Sequence, residues 1–129
     1  MEPIQEIYVL LEDKPGTIGK LTRILKKKRI SIYGIGLFID TARLHVSHPE
    51  KALEALLGNN FQVELHPVLR IVLPNKQGAM AEMTQKLGNA GININYLYGA
   101  MLEKQKRGVV VLEVDKPELA IDIFRNHRF

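Results

Sequence analysis

The sequence contains no cysteine, which removes disulfides, thiol nucleophiles and thiolate metal sites together and points to a reducing, cytoplasmic setting. It also lacks any apolar run near the roughly 20 residues that a bilayer-spanning helix requires, since charged residues interrupt every helical stretch. No membrane association is expected. Neither end has the make-up of a signal peptide, so the chain is expected to be a mature protein. Excess charge is modest: 18 Lys and Arg stand against 14 Asp and Glu, a formal net charge of +4. The one dense basic cluster, Lys26-Lys27-Lys28-Arg29, ends a helical pattern, where cations offset the negative end of the helix dipole.

Catalytic constellations are missing too. His45, His48, His66 and His127 are scattered, and none stands at metal-ligand spacing from another imidazole or acid. No catalytic residues, metal or cofactor are therefore expected, and the chain is read as a protein that is not an enzyme. Aromatic residues are absent from the stretches 42–46 and 109–113, the third strands of the units described below. An RNA-recognition sheet would stack bases there, so no nucleic-acid partner is expected.

What the chain does contain is a repeat. Glu12-Asp13-Lys14-Pro15-Gly16-Thr17-Ile18 recurs as Pro74-Asn75-Lys76-Gln77-Gly78-Ala79-Met80, and Leu25, Ile30 and Ile32 recur as Leu87, Ile92 and Ile94, all at an offset of 62 (78 − 16). Beyond the second strand the offset is 68 (117 − 49), taking Val46 to Val114 and Pro49 to Pro117, so six residues are inserted near 102–108. Each copy follows strand-formers, 7–11 and 69–73, and precedes an apolar helical pattern. The glycine turn between them is a place where backbone comes close to a ligand and unpaired helix N–H groups favour an anion.

Read in order, the first copy has a strand over 4–11, a helix over 16–28, a second strand over 30–39, a hairpin at Asp40-Thr41, a third strand to Val46, a short helix ended by Gly58 and a fourth strand over 61–66. Ser47 and Asp115 stand at capping positions before Pro49 and Pro117. The order βαββαβ gives an α+β fold: two tandem ferredoxin-like units, 1–66 and 67–129, each an antiparallel sheet with both helices on one face. Pro67 is expected to separate the fourth strand from the next. Only 126–129 remain for the last strand of the second unit, which is short or missing. Apolar residues on both faces of the first two strands imply packing against another unit, most simply in a homodimer.

These residues resemble the ACT domain, in the strand, Asp13-Lys14-Pro15-Gly16, helix, Ile30-Ser31-Ile32 pattern and again in Asn75-Lys76-Gln77-Gly78 with Ile92-Asn93-Ile94. The likeness covers essentially the whole chain as a tandem pair. It is nearest to small stand-alone two-domain proteins and next to the regulatory subunits of acetolactate synthase. The resemblance implies a sensor of a free amino acid, bound at a seam where the glycine loop of one domain faces the start of the second strand of its neighbour. Carried over, the ligand-binding positions are Asp13, Gly16, Thr17, Ile18 and Ser31 in the first unit, and Asn75, Gln77, Gly78, Ala79, Met80, Asn93 and Asn95 in the second. In serine-sensing relatives the loop and strand positions are both Asn, matched by Asn75 and Asn93 but not by Asp13 and Ser31. Ile18, Met80 and Leu97 as pocket residues favour a branched-chain or other hydrophobic amino acid. Tyr96 and Tyr98 are expected on the side of their strand opposite Asn93 and Asn95. A regulatory subunit of a metabolic enzyme and a purely structural partner-binding module are the alternatives.

Overall fold

The computed structural model describes residues 1–129. Ten elements follow one another: β1 (Glu2–Leu10), α1 (Thr17–Lys27), β2 (Ile32–Phe38), β3 (Thr41–Val46), α2 (Pro49–Leu57), β4 (Gln62–Pro74), α3 (Ala79–Asn89), β5 (Ile94–Ala100), β6 (Arg107–Val114) and α4 (Pro117–Phe124). They form two compact units, one of Gln5–Pro67 and the other of Met1–Ile4 with Val68–Phe129. Two strands, β1 and β4, are thus divided between the units.

In the unit of Gln5–Pro67 the strand order is β2-β3-β1-β4, and β3 pairs antiparallel with both β1 and β2. Alternation along β1 sends Ile7 and Val9 to one face, where they meet Leu21 and Leu25 of α1, Ala52 and Leu56 of α2, and Leu44 of β3. Both helices lie on that face. Their apolar residues recur at helical spacing, and each fully buried Leu contributes about 1.5–3 kcal/mol of transfer free energy.

The second unit repeats this plan. Leu69, Ile71 and Leu73 of β4 and Val110, Leu112 and Val114 of β6 pack against Met83 and Leu87 of α3 and Ala120 and Phe124 of α4, and β6 pairs antiparallel with β4 and β5. Residues 126–129 form no strand. Instead Phe129 stacks on Phe124 with centroids 6.1 Å apart, and His127 meets Phe129 edge-on at 4.5 Å. The strand beside β4 is β1; its residues 2–4 belong to this unit, where Glu2 pairs with Arg70 and Met1 packs against the core.

Two local expectations are corrected. Pro67 does not break the chain: residues 62–74 form one strand of 13 residues, because a proline removes only one donor and its fixed φ is tolerated at this exposed, extended position. The apolar residues of 30–39 are not all covered within their unit: β2 lies at the edge of its sheet, with Tyr33, Ile35, Leu37, Phe38 and the following Ile39 between 43% and 80% exposed. Finally, β5 carries a bulge between Ile94, which pairs with Val114, and Tyr96, which pairs with Glu113. The extra residue reverses the alternation after it, so Tyr96 shares a face with Glu113, whose carboxylate accepts from Asn95. Tyr96 and Tyr98 therefore lie on the same side as Asn95. A matching irregularity between Ile32 and Gly34 occurs in β2.

Candidate functional site

The two glycine turns have the same backbone. Gly16 has φ 90° and ψ −15°, Gly78 φ 89° and ψ −7°, the left-handed region that glycine enters without a steric penalty. In the first turn the N–H of Lys14 donates to the Glu12 carbonyl at 2.9 Å, and that of Lys20 donates to the Gly16 carbonyl at 2.9 Å; in the second, Lys76 donates to Pro74 and Glu82 to Gly78, again at 2.9 Å each. These Lys20 and Glu82 bonds begin the helical ladder, so the amides before them, at Ile18–Gly19 and Met80–Ala81, are the unpartnered donors of a helix start. Neither helix has a side-chain cap. A Cβ built on Gly16 or Gly78 would meet nothing within 4 Å, so open space lies directly against both turns.

The side chains assigned from sequence divide into several groups. Asp13 and Gln77 are exposed, Met80 is 39% exposed, Ile18 packs against the first core, and Ala79 is buried in the second, its N–H donating to the Lys76 carbonyl at 3.3 Å as that of Thr17 does to Lys14 at 3.5 Å. Asn75 is committed in part to structure: its Nδ2 donates to the carbonyls of Leu102 at 2.9 Å and Gln105 at 2.7 Å, pinning the inserted loop. Lys14 donates to and pairs with Glu12 at 2.7 Å, and this hydrogen bond and charge hold the Glu12 carboxyl below its ordinary pKa.

At the start of the second strand of each unit sits a reciprocal clamp. Ser31 donates its N–H to Ser47 Oγ at 2.9 Å and accepts from the Ser47 N–H at 2.9 Å. Asn93 does the same with Asp115, at 2.9 and 3.1 Å. Ser47 and Asp115 are thus used to tie two strands together, not to cap the helices that follow, which lack side-chain caps. A polar chain continues from Asn93 Nδ2 to Asn95 Oδ1 at 3.0 Å and from Asn95 Nδ2 to Glu113 Oε1 at 2.9 Å.

Within each unit the turn and the clamp are at opposite ends of the sheet. Leu11, just before the first turn, donates to the carbonyl of Asp40 in the β2–β3 hairpin at 2.7 Å, whereas Ile32, beside Ser31, pairs with Val46 at the far end of β3. One unit by itself does not bring Gly16 to Ser31.

Two features escaped the sequence. The first is a cleft of about 790 Å³ beside the Gly16 turn, walled by Lys14, Lys20 and Arg23 and by Phe61 just before β4. Lys20 and Arg23, three residues apart on α1, were the available signal, although nothing local marks Phe61 as their neighbour. The second is a cluster on the sheet face away from the helices. Arg43 Nη1 donates to the fully buried Glu6 carboxylate at 3.1 Å and its guanidinium lies 4.5 Å from the Tyr8 ring centroid, while His66 stacks on Tyr8 at 4.9 Å. No three His, Cys, Asp or Glu side chains gather as a metal cluster.

Residues 2–128 match the family model of the ACT domain pair. Among solved structures, a protein from Bacteroides thetaiotaomicron superposes with a TM-score of 0.87 at 28% identity, covering 95% of this chain and 87% of that one. The ligand-free regulatory subunit of aspartate kinase from Thermus thermophilus superposes at 0.71 with 19% identity, covering 99% and 96%, and that from Thermus flavus at 0.67 with 19% identity, covering 96% and 94%. No curated protein matches the sequence.

Proposed function

The chain belongs to the ACT domain pair family, and from that premise we propose that it senses a free α-amino acid and regulates amino-acid metabolism without itself catalysing a reaction. The observation that carries this reading is the duplicated turn: two left-handed glycines, each with uncapped amides at a helix start and open space against the backbone. An α-carboxylate fits such amides, since they donate to an anion at the positive end of a helix dipole. The ammonium needs acceptors, and Asp13 in one turn and the side-chain oxygens of Asn75 and Asn93 in the other are of the right type. Because turn and clamp are at opposite ends of a unit, a seat using both requires a second domain, and we place it at the seam formed when two copies of the chain associate as a homodimer. The exposed apolar residues of β2, together with Met80 at 39% and Leu97 at 37% exposure, support both that association and an apolar ligand side chain.

A thermal-shift panel of all twenty amino acids tests the reading. One or a few should stabilise the protein, by roughly 2.7 kcal/mol at 100 times the dissociation constant. Gly78→Val should abolish the shift by filling the open space over the amides, and Asn93→Ala should weaken it by about 1–3 kcal/mol. A panel in which none stabilises, or a shift that survives Gly16→Val and Gly78→Val together, would leave a structural partner-binding role as the better account.

A further inference from the structure

We propose that the loop inserted between β5 and β6 is a positioning device: it fixes Asn75 as a hydrogen-bond acceptor, and nothing else, for the ligand's ammonium at the second turn. This rests on the amino-acid reading above and names how that seat tells an amine from a carbonyl. A carboxamide carries an acceptor on one side and a donor on the other, and its terminal torsion is soft. An unheld Asn would therefore offer either group to a ligand. Asn75 is held: its Nδ2 donates to the Leu102 carbonyl at 2.9 Å and to the Gln105 carbonyl at 2.7 Å, which spends both of its hydrogens. Turning the amide over would set Oδ1 against two carbonyl oxygens and lose both bonds. Only Oδ1, with its two lone pairs, is left to meet a ligand.

The loop is built to keep those carbonyls in place. Gln105 donates its N–H to the Leu102 carbonyl at 3.0 Å, closing a turn, and the Asn75 N–H donates to the Lys106 carbonyl at 2.8 Å. Carbonyls 102, 105 and 106 thus converge on one residue. At the stem of the loop Met101 packs against the core of its unit and crosses Gly108, where a Cβ would have no room. The repeat supplies an internal comparison. In the first unit only Ile39 and Asp40 separate β2 from β3, whereas 101–106 separate β5 from β6. At the 62-residue offset the counterpart of Asn75 is Asp13, and an ionised carboxylate has no hydrogen to give. The chain therefore reaches one result in two ways: an acceptor by chemistry where the hairpin is short, and an acceptor by orientation where it is long. Both suit an ammonium, which only donates. The oxygen of a 2-oxo acid would meet them oxygen against oxygen.

The amino acid that stabilises the chain in the thermal-shift panel, and its 2-oxo acid, are titrated by calorimetry into the full chain and into a variant lacking Leu102–Gln105. That deletion removes both accepting carbonyls and leaves Met101 and Lys106 as a short hairpin like Ile39-Asp40. The released carboxamide can then offer its donor to the oxo group, so amino-acid affinity should fall about tenfold, and the preference over the 2-oxo acid by about as much or more. Asn75→Asp in the shortened chain reproduces the first unit's pairing of residue and hairpin and should restore both. A loop that merely braced the fold would not be replaced by one carboxylate. The wild-type chain gives a reading that needs no deletion: both Asn75 Nδ2 protons should exchange more slowly than those of exposed Gln77. Unchanged affinity and preference after the deletion, failure of Asn75→Asp to restore them, or Asn75 protons exchanging as fast as those of Gln77 overturns the proposal. A panel with no stabilising amino acid defeats the sensor reading and this proposal with it, whereas binding that Gly78→Val abolishes and the deletion leaves intact defeats the proposal alone.

Discussion

Glu6 is a charged side chain with no exposed surface, and Arg43, itself 20% exposed, bonds it at 3.1 Å while lying over Tyr8. Removing one partner of a buried carboxylate costs more than the bond contributed, because desolvation is left uncompensated. Arg43→Ala should lower the unfolding free energy by about 1.5–3 kcal/mol in urea titration, and a cycle with Glu6→Gln should show coupling between the two positions. The turn glycines behave differently. Space around Gly16 and Gly78 is open and only their φ of about 90° resists a side chain, so Gly16→Ala and Gly78→Ala should each cost about 1–2 kcal/mol through backbone conformation without disturbing the core; calorimetric melting checks this. Those glycines were legible, since a Gly between a strand pattern and a helix pattern, repeated at a fixed offset, has few other uses. Glu6 was not, because within a strand-forming run a carboxylate carries no mark of the arginine that reaches it from residue 43.

Helices α1 to α4 and most strands follow from apolar spacing, and the repeat offset located both turns. Period-two reasoning failed where a strand contains one residue too many. The bulges at Tyr33 and Asn95 leave no local signature, so the faces of everything beyond them, Tyr96 and Tyr98 included, could not be assigned by counting. Pro67 misled for the opposite reason: a strong local breaker stands within a strand because each half of β4 is held by its own unit. The supply of a strand by residues 2–4 to the second unit was equally hidden, since it joins segments more than sixty residues apart in sequence. Deleting Met1–Ile4 should therefore destabilise Val68–Phe129 selectively. Hydrogen exchange should quicken at Val68, Leu69 and Arg70 of β4, while Val9, Ala42 and Leu44 keep their protection; uniform loss across both units would refute the assignment.

Over the whole molecule, exposed apolar side chains concentrate on β2 and the residue after it, where Leu37 is 52% and Ile39 80% exposed. Light scattering at micromolar concentration should give at least twice the 14.6 kDa chain mass, and Leu37→Lys should shift it towards the monomer by placing a charge in the apolar edge. The same variant should lose the amino-acid response while keeping its far-ultraviolet circular dichroism. The division of β1 between units also orders events in time. Met1–Ile4 are synthesised before Gln5–Pro67, yet the unit they complete is finished only once Val68–Phe129 has followed. Folding proceeds domain by domain during synthesis, so Gln5–Pro67 can close while Met1–Ile4 wait with unpaired backbone groups. On a crowded polysome that segment meets neighbouring nascent copies before its own partner strand is complete, and exchange of Met1–Ile4 between chains is the misassembly this topology invites.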